Sequence, residues 1–229
     1  MSVQIRDSNN QFDKLSLKFL TLGDSKIGKT SILERYVNKS FKDNYLVTIG
    51  MDIRIKRLTI NNNNIDIHIT DTAGQERFRS ISKMSYKRSD GILVGFALND
   101  AKTFESISYW IEQIYENKGK NSDVSVVLFG NKCDDKKNMV VKEEEINKIK
   151  NKYGLKYFET SAKENINVQE LFEYLVKITI INKGLLKNFG LKDNATIDDM
   201  IISEREKENQ SIKPEKNKKK KKTEKMLLI

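Results

Sequence analysis

The chain has 229 residues, 38% of them hydrophobic, and a formal net charge of +10, which is enough for one domain with an appendage. Its single cysteine, Cys133, excludes an intrachain disulfide framework and a zinc site built from cysteines. No apolar run approaches the roughly 18 residues that would span a bilayer, and residues 1–16 lack a secretory signal, so we expect a protein that is not secreted.

Short apolar runs alternate with amphipathic stretches through the first three quarters of the chain. The runs LKFLTL (17–22), DGILVGFAL (90–98) and VSVVLFG (124–130) are typical of parallel strands buried on both faces. Between or after them, TFESISYWIEQIYENK and VQELFEYLVKI carry apolar residues at helical spacing. Residues 51–69 contain two strand-like runs separated by four asparagines, which predicts an antiparallel hairpin. We therefore predict an α/β domain whose mostly parallel sheet has one antiparallel edge strand.

The stretch GDSKIGKT follows the first predicted strand and opens a predicted helix, and it fits the pattern G-x-x-x-x-G-K-[ST]. In this pattern the backbone amides surround phosphate oxygens, Lys29 reaches the β- and γ-phosphates, and the Thr30 hydroxyl holds Mg²⁺. The residues that we expect to bind the phosphates are Gly23, Asp24, Ser25, Lys26, Ile27, Gly28, Lys29 and Thr30.

The stretch DTAGQE directly follows the second strand of the predicted hairpin. We expect Asp71, a carboxylate at the end of a strand, to bind Mg²⁺ through water, and Gly74 to bring its N–H close to a γ-phosphate. Gln75 would orient an attacking water, and Thr72 and Ala73 would border the nucleotide.

The stretch NKCD follows the apolar run that ends at Gly130. Asn131 and Asp134 have the spacing to bind the edge of a base, with Lys132 between them. A carboxylate accepts two N–H bonds from guanine but repels the adenine edge, so Asp134 favours guanine over adenine.

The stretch ETSAK lies at 159–163. We expect the backbone of Ser161, Ala162 and Lys163 to face the carbonyl group of the base. Four nucleotide-binding elements in this order predict a guanine-nucleotide site.

Together these motifs resemble the Rab family of small GTPases, over about residues 15–181. The Rab-like features are TIGMD, DTAGQERFRSIS, NKCD and ETSAK. The resemblance implies the P-loop small-GTPase fold, with a sheet of about six strands and about five helices. It also implies that Thr48 binds Mg²⁺ and the γ-phosphate when GTP is present. The implied catalytic residues are then Gln75, Lys29 and Thr48, and the implied metal-binding residues are Thr30, Thr48 and Asp71.

The resemblance implies a monomeric enzyme that switches between GTP and GDP and hydrolyses GTP slowly to GDP and phosphate, with a role in membrane traffic. Implied partners are effectors, through residues 45–53 and 72–86, an exchange factor and a GTPase-activating protein. One alternative is a GTP-binding module with negligible hydrolysis. Another is a nuclear or nucleic-acid-associated GTPase directed by the lysine-rich tail, although the domain has no basic stripe interleaved with aromatics and nucleic acid is not an expected partner.

Within the predicted domain, the sequence departs from the family at two places that concern function. Lys26 stands where the family often has a small residue, and it is either a solvated side chain or an additional cation near the phosphates. Ile53, Thr70 and Ser85 stand where the family typically carries three exposed aromatic residues. Because aromatic anchors dominate many interfaces, we expect the usual effectors of the family to bind poorly.

We divide the rest of the chain into an N-terminal extension (1–14), a variable segment (182–203) and a disordered tail (204–229) around the GTP-binding domain (15–181). Residues 213–225 hold eight Lys and two Glu, a net charge of +6. In MLLI, Met226 stands where a prenylated Cys would be, so we expect no prenylation there. The tail is either simply solvated or a weak contact with anionic membranes through residues 213–229. We expect a cytoplasmic protein, with any membrane contact peripheral and on the cytosolic face of endomembranes.

Overall fold

The computed structural model describes residues 15–41, 51–72, 83–120 and 122–204. The strands in this part of the chain are β1 (Ser16–Leu22), β2 (Met51–Ile60), β3 (Asn63–Thr72), β4 (Gly91–Ala97), β5 (Ser125–Asn131), β6 (Lys156–Glu159) and β7 (Ile202–Glu204). They form one sheet in the order β6-β5-β4-β1-β3-β2-β7. The central pairs are parallel, whereas β2 is antiparallel to both β3 and β7.

Six α-helical segments in the described ranges accompany the sheet. They are α1 (Lys29–Asn38), α2 (Lys83–Arg88), α3 (Ala101–Glu105), α4 (Ile107–Lys118), α5 (Glu143–Tyr153) and α6 (Val168–Asn182). Only Ser106 separates α3 from α4, and its backbone N–H bonds back to the carbonyl of Lys102. The two segments therefore continue one another with a local break.

The sheet is covered on both faces, as the apolar runs predict. In β1, Leu17 and Phe19 belong to the core cluster that includes side chains of α1 and α6, whereas Leu20 and Leu22 belong to the cluster that includes side chains of α4. This alternation follows from the period of two along a strand. Every residue of β4 is buried, which fits a central parallel strand.

The candidate motifs gather at one edge of the sheet. The strands β1, β3, β5 and β6 are linked through parallel pairs, so their carboxyl ends lie on the same side. The loop 23–28 follows β1, Asp71 lies near the end of β3, Asn131 ends β5, and residues 160–163 follow β6. In open α/β sheets, ligands bind at this edge, which places the candidate site there.

The predicted α/β fold class is confirmed, but the sheet has one strand more than predicted. The additional strand, β7, pairs with β2 over Leu58–Ile60, so β2 is not the edge of the sheet at that end. Asn61 donates its backbone N–H to the carbonyl of Ile201 at 3.1 Å and accepts the N–H of Ile201 on its side-chain oxygen at 2.9 Å. These bonds hold β7 against the β2–β3 turn.

The segment 182–203, predicted as a variable connection, packs against the domain. Leu186, Phe189 and Met200 are each at most 5% exposed and join the core cluster of α1 and α6. The segment therefore forms part of the folded unit up to Glu204, where the described residues end. The predictions for residues 1–14 and 205–229 concern residues outside the described part. Within the described residues, no helix combines the length and apolar character that crossing a bilayer requires.

Candidate nucleotide-binding site

The loop between β1 and α1 has the backbone shape of a phosphate cradle. Gly23, Lys26 and Gly28 all have positive φ values, of 135°, 63° and 95°. At Gly28, which caps the N-terminus of α1, a Cβ atom would lie 2.3 Å from Nδ2 of Asn131. Glycine is therefore required there by both conformation and space. Lys26 adopts the left-handed region without that freedom, which is uncommon for a residue with a long side chain.

Lys29 lies in the first turn of α1, with its ammonium group beneath this loop. Its Nζ donates to the carbonyl oxygens of Gly23 at 2.9 Å and Asp24 at 2.8 Å, and the residue is 5% exposed. Burial lowers the pKa of Lys29 to about 8, although the nearby carboxylates of Asp71 and Asp24 oppose this shift. The arrangement holds a cation where the loop amides would bind phosphate.

Thr30 and Asp71 meet beside Lys29. The Oγ1 of Thr30 donates to Oδ2 of Asp71 at 2.5 Å. Asp71 is 2% exposed, and within the described residues its other oxygen, Oδ1, has no hydrogen-bond partner although it is buried. Burial raises the pKa of Asp71, whereas the Thr30 hydrogen bond and the charge of Lys29 lower it. A hydroxyl and a carboxylate with a spare oxygen are the hard ligands that Mg²⁺ prefers, so the residues fit this ion.

Asn131 joins the phosphate loop to the loop after β6. Its Nδ2 donates to the carbonyl of Ile27 at 2.8 Å, and its Oδ1 accepts the N–H of Ala162 at 3.2 Å. The residue is 2% exposed. Because both ends of the amide are used, Asn131 fixes the distance between the two loops that would hold the two ends of a nucleotide.

Asp134 is held by the same loop. The Oγ of Ser161 donates to Oδ1 of Asp134 at 2.5 Å and accepts the backbone N–H of Glu164 at 2.9 Å. Among the described residues, the second carboxylate oxygen of Asp134 accepts no hydrogen bond. A carboxylate fixed in this way is able to accept N–H bonds from a guanine edge.

Of the three backbone amides predicted to face the base, two already have acceptors. Ser161 donates to the carbonyl of Ile166 at 3.1 Å, and Ala162 donates to Asn131. Lys163 donates to no acceptor within the described residues. Its N–H is therefore the best placed of the three to bind a base carbonyl in this form of the protein.

Lys132 adopts a left-handed conformation between Asn131 and Cys133, with φ of 69°. Burial lowers the pKa of Lys132, and the positive charge of Lys26 adds to this effect, while nearby aspartates oppose it. The positive charge of Lys26 therefore acts on Lys132, which lies beside the predicted base-binding residues.

Several contacts that hold the site together were not visible in the sequence. The Asp24 carboxylate accepts hydrogen bonds from Ser106 Oγ at 2.6 Å and from Trp110 Nε1 at 2.9 Å. Trp110 looks in the sequence like a packing residue of an amphipathic helix, and nothing local signals its bond to a loop 86 positions earlier. Thr72 Oγ1 donates to the carbonyl of Thr21 at 2.6 Å, so this hydroxyl links β3 to β1 and is not directed at the nucleotide site.

Four of the predicted site residues, Thr48, Ala73, Gly74 and Gln75, lie outside the described part of the chain. Ile53 and Thr70 are paired across β2 and β3, and Ile53 is 60% exposed. Ser85 lies in α2 and is half-buried. The expectation about effectors remains a prediction.

Comparison with known proteins gives a consistent assignment. A model of the Ras family matches residues 18–181. The chain is 38% identical to Ras-related protein Rab-13 of Bos taurus over 167 residues, which cover 73% of this chain and 81% of that protein. It is 40% identical to Ras-related protein Rab-10 of Diplobatis ommata over 158 residues, or 69% and 78% of the two chains. For Ras-related protein Rab-8 of the same organism the identity is 39% over 173 residues, or 75% and 81%.

The family match extends from β1 almost to the end of α6, so it includes all four motifs and the sheet edge at which they meet. The chain belongs to the Rab family of small GTPases, within the larger Ras family. This family consists of GTP-binding proteins of vesicle trafficking and protein transport.

Proposed function

We propose that this protein binds GTP and GDP with Mg²⁺ and hydrolyses GTP slowly, switching between two states in membrane traffic. The observation that carries the proposal is the bridge made by Asn131 between the phosphate loop and the loop after β6. This bridge supports the proposal because it would hold a phosphate-binding loop and a base-binding loop at a fixed separation. Lys163 and Asp134 then supply a donor and an acceptor for the guanine edge.

The reaction transfers the γ-phosphoryl group of GTP to water. The bond from the γ-phosphorus to the β–γ bridging oxygen breaks, a bond to the water oxygen forms, and the products are GDP and phosphate. Thr30 and Asp71, together with Thr48, would hold Mg²⁺, and the ion would supply positive charge that offsets the charge of the phosphates. Lys29 and the loop amides stabilise charge that develops on the phosphates, and Gln75 orients the attacking water.

Residues 45–53 and 72–86 are the segments that we propose to change with the nucleotide and to contact effectors. Thr48 and Gly74 would hold these segments to the γ-phosphate and release them after hydrolysis. An exchange factor would release GDP. A GTPase-activating protein would supply an arginine or an equivalent cation, because Rab-like hydrolysis without one is slow.

Family membership and the charge of the tail support a proposal about where the protein acts. We propose a monomer that works in the cytoplasm and contacts the cytosolic face of endomembranes through residues 213–229. The attraction is electrostatic, at most about 1 kcal/mol for each lysine at an anionic surface.

A single-turnover assay with GTP labelled at the γ-phosphate tests the proposal. We expect Mg²⁺-dependent phosphate release at a rate on the order of 10⁻⁴ to 10⁻³ per second without an activator. Gln75→Leu should slow release without weakening nucleotide binding. Tight binding with no release above the uncatalysed background would instead describe a module that holds GTP without hydrolysing it.

A further inference from the structure

Arg35 connects the helix of the phosphate site with the loop of the base site. It lies in α1, six positions after Lys29, and its side chain extends to the loop after β6. Its Nε donates to the carbonyl of Ala162 at 2.8 Å, and its Nη2 donates to the carbonyl of Lys163 at 2.9 Å. The two partners are adjacent in sequence and 127 and 128 positions from the arginine.

The remaining contacts of Arg35 hold the guanidinium in place. Its Nη1 donates to the carbonyl of Lys39, the left-handed residue that caps the C-terminus of α1, at 3.2 Å. The guanidinium carbon lies 5.8 Å from the centre of the Phe41 ring. All three nitrogen atoms of the planar group are therefore used, and a lysine, with one compact ammonium, would not reproduce this set.

The bonds to the loop act on the groups that face the base. The carbonyl of Ala162 and the N–H of Lys163 belong to the same peptide unit. When a cation bonds to that carbonyl, it polarises the unit and makes the N–H a stronger donor. The Lys163 N–H is the amide of this loop that has no acceptor within the described residues.

The hydrogen bond from Arg35 to the carbonyl of Lys163 is connected to Asp134 through two further hydrogen bonds. The carbonyl of Lys163 shares its peptide unit with the N–H of Glu164, which donates to Ser161 Oγ at 2.9 Å. Ser161 Oγ in turn donates to Asp134 at 2.5 Å. A loop displaced from Arg35 would therefore also lose the group that orients the guanine-binding carboxylate.

We infer that Arg35 is a positioning residue for guanine recognition, which sets how long the nucleotide stays bound and how well guanine is distinguished from related bases. The inference rests on the proposed guanine-nucleotide binding. Arg35 contacts the loop backbone and acts through the Lys163 amide and Asp134.

The test compares release of fluorescent mant-GDP and mant-IDP from the full chain after addition of excess unlabelled GDP with Mg²⁺. Hypoxanthine, the base of IDP, lacks the exocyclic amine that Asp134 would bind. Arg35→Gln is expected to speed GDP release by about tenfold or more, since each bond to a charged donor is worth about that factor. IDP release should rise less, so that the ratio of the two rates falls toward one. Arg35→Lys should lie between the wild type and Arg35→Gln.

Arg57→Gln is the matched control, because Arg57 is an arginine on β2 with a side chain 61% exposed and 3.7 Å from Asp66. It should leave both rates unchanged. An unchanged GDP rate in Arg35→Gln would overturn the positioning role. So would failure of both Arg35 variants to fold, since it would assign the residue to stability alone. An equal rise for both nucleotides would overturn the claim that Arg35 contributes to distinguishing guanine, because both bases carry the carbonyl that the Lys163 N–H would bind. Failure of the wild type to bind mant-GDP would overturn the proposed function instead.

Discussion

Thr30 donates a 2.5 Å hydrogen bond to Asp71, a residue 41 positions further along the chain. The bond joins the first turn of α1 to the end of β3, and it leaves Oδ1 of Asp71 buried without a partner in the described part of the chain. A buried carboxylate oxygen without a partner is costly unless a ligand satisfies it. This pair is therefore the firmest structural support for a Mg²⁺ site.

Replacing Asp71 by Asn should weaken Mg²⁺ binding in the GDP complex by about 10- to 100-fold, because the amide keeps the shape but not the charge. GDP release from the variant should be fast even with Mg²⁺ present, and chelation by EDTA should change it little. Release of mant-GDP with and without EDTA measures this. Thr59→Val, on β2, is a control that should retain the wild-type response. A full EDTA effect in Asp71→Asn would remove Asp71 from the metal site.

Nucleotide affinity should fall as pH rises above about 8. The pKa of Lys29 without nucleotide is about 8 because the side chain is buried, and bound phosphates would raise it. Between the pKa of Lys29 in the free protein and its higher pKa in the complex, nucleotide binding takes up a proton. In that pH interval each unit of pH weakens binding by at most about tenfold. Well below pH 8 Lys29 is protonated in both the free and the bound state, so this contribution becomes constant.

Equilibrium binding of mant-GDP, measured between about pH 7 and about pH 9.5, gives the pH dependence of the affinity. The comparison protein is Lys29→Met, which has lost the titrating group but keeps any contribution from the guanine base itself. The difference between the two profiles belongs to Lys29. Parallel profiles would contradict the assignment.

The bonds from Ser106 and Trp110 to Asp24 should support both the fold and the phosphate loop. Trp110→Phe keeps an aromatic ring but removes the N–H donor, and we expect it to lower the free energy of unfolding by about 1–3 kcal/mol. Ser106→Ala should act in the same direction. Both variants should also release GDP faster, because Asp24 lies in the loop.

Chemical denaturation and mant-GDP release measure these two effects. Ser108→Ala is the matched control, since Ser108 lies on the same helix and forms no hydrogen bond with the loop among the described residues. If Trp110→Phe were destabilised with no change in GDP release, the bond would stabilise the fold without shaping the site.

These predictions differ in how far the sequence alone could support them. Lys29, Asp71 and Asn131 were identifiable because each follows a recognisable apolar strand, and parallel strands bring their carboxyl ends to one edge. Motif spacing was therefore sufficient to predict which residues meet. The hydrogen bonds within each motif could not be predicted from the sequence. The sequence indicates three backbone amides that could bind the base, and only the structure shows that two of them, those of Ser161 and Ala162, already have acceptors.

The contacts of Arg35 and Trp110 could not be predicted, because each joins residues that are 86 or more positions apart without any shared local pattern. The strand β7 was missed for a related reason. Residues 183–204 have no regular periodicity, and Phe189 and Met200 become buried in the core cluster that also includes residues of α6 and β2. Pattern analysis detects periodic elements, so short turns and a three-residue strand escape it.

The lysine-rich tail should attach the protein weakly to anionic membranes. At low salt the full chain should sediment with vesicles that contain phosphatidylserine, and less so at physiological salt, where the Debye length is about 8 Å. Neutral vesicles should not bind it. Deletion of residues 213–229 should abolish sedimentation and leave GTP hydrolysis intact. Salt-resistant binding to neutral vesicles would show that another part of the protein holds the membrane.

The central claim is that the site selects guanine nucleotides, and competition against mant-GDP tests it most directly. We expect GDP to displace the probe from the wild-type protein at concentrations at least about 100-fold lower than ADP, since a wrong base leaves buried polar groups unpaired. Asp134→Asn should reverse the match with the guanine edge and shift preference toward xanthosine diphosphate, while Asp135→Asn, next in the chain, should not. Equal displacement by GDP and ADP would contradict the account.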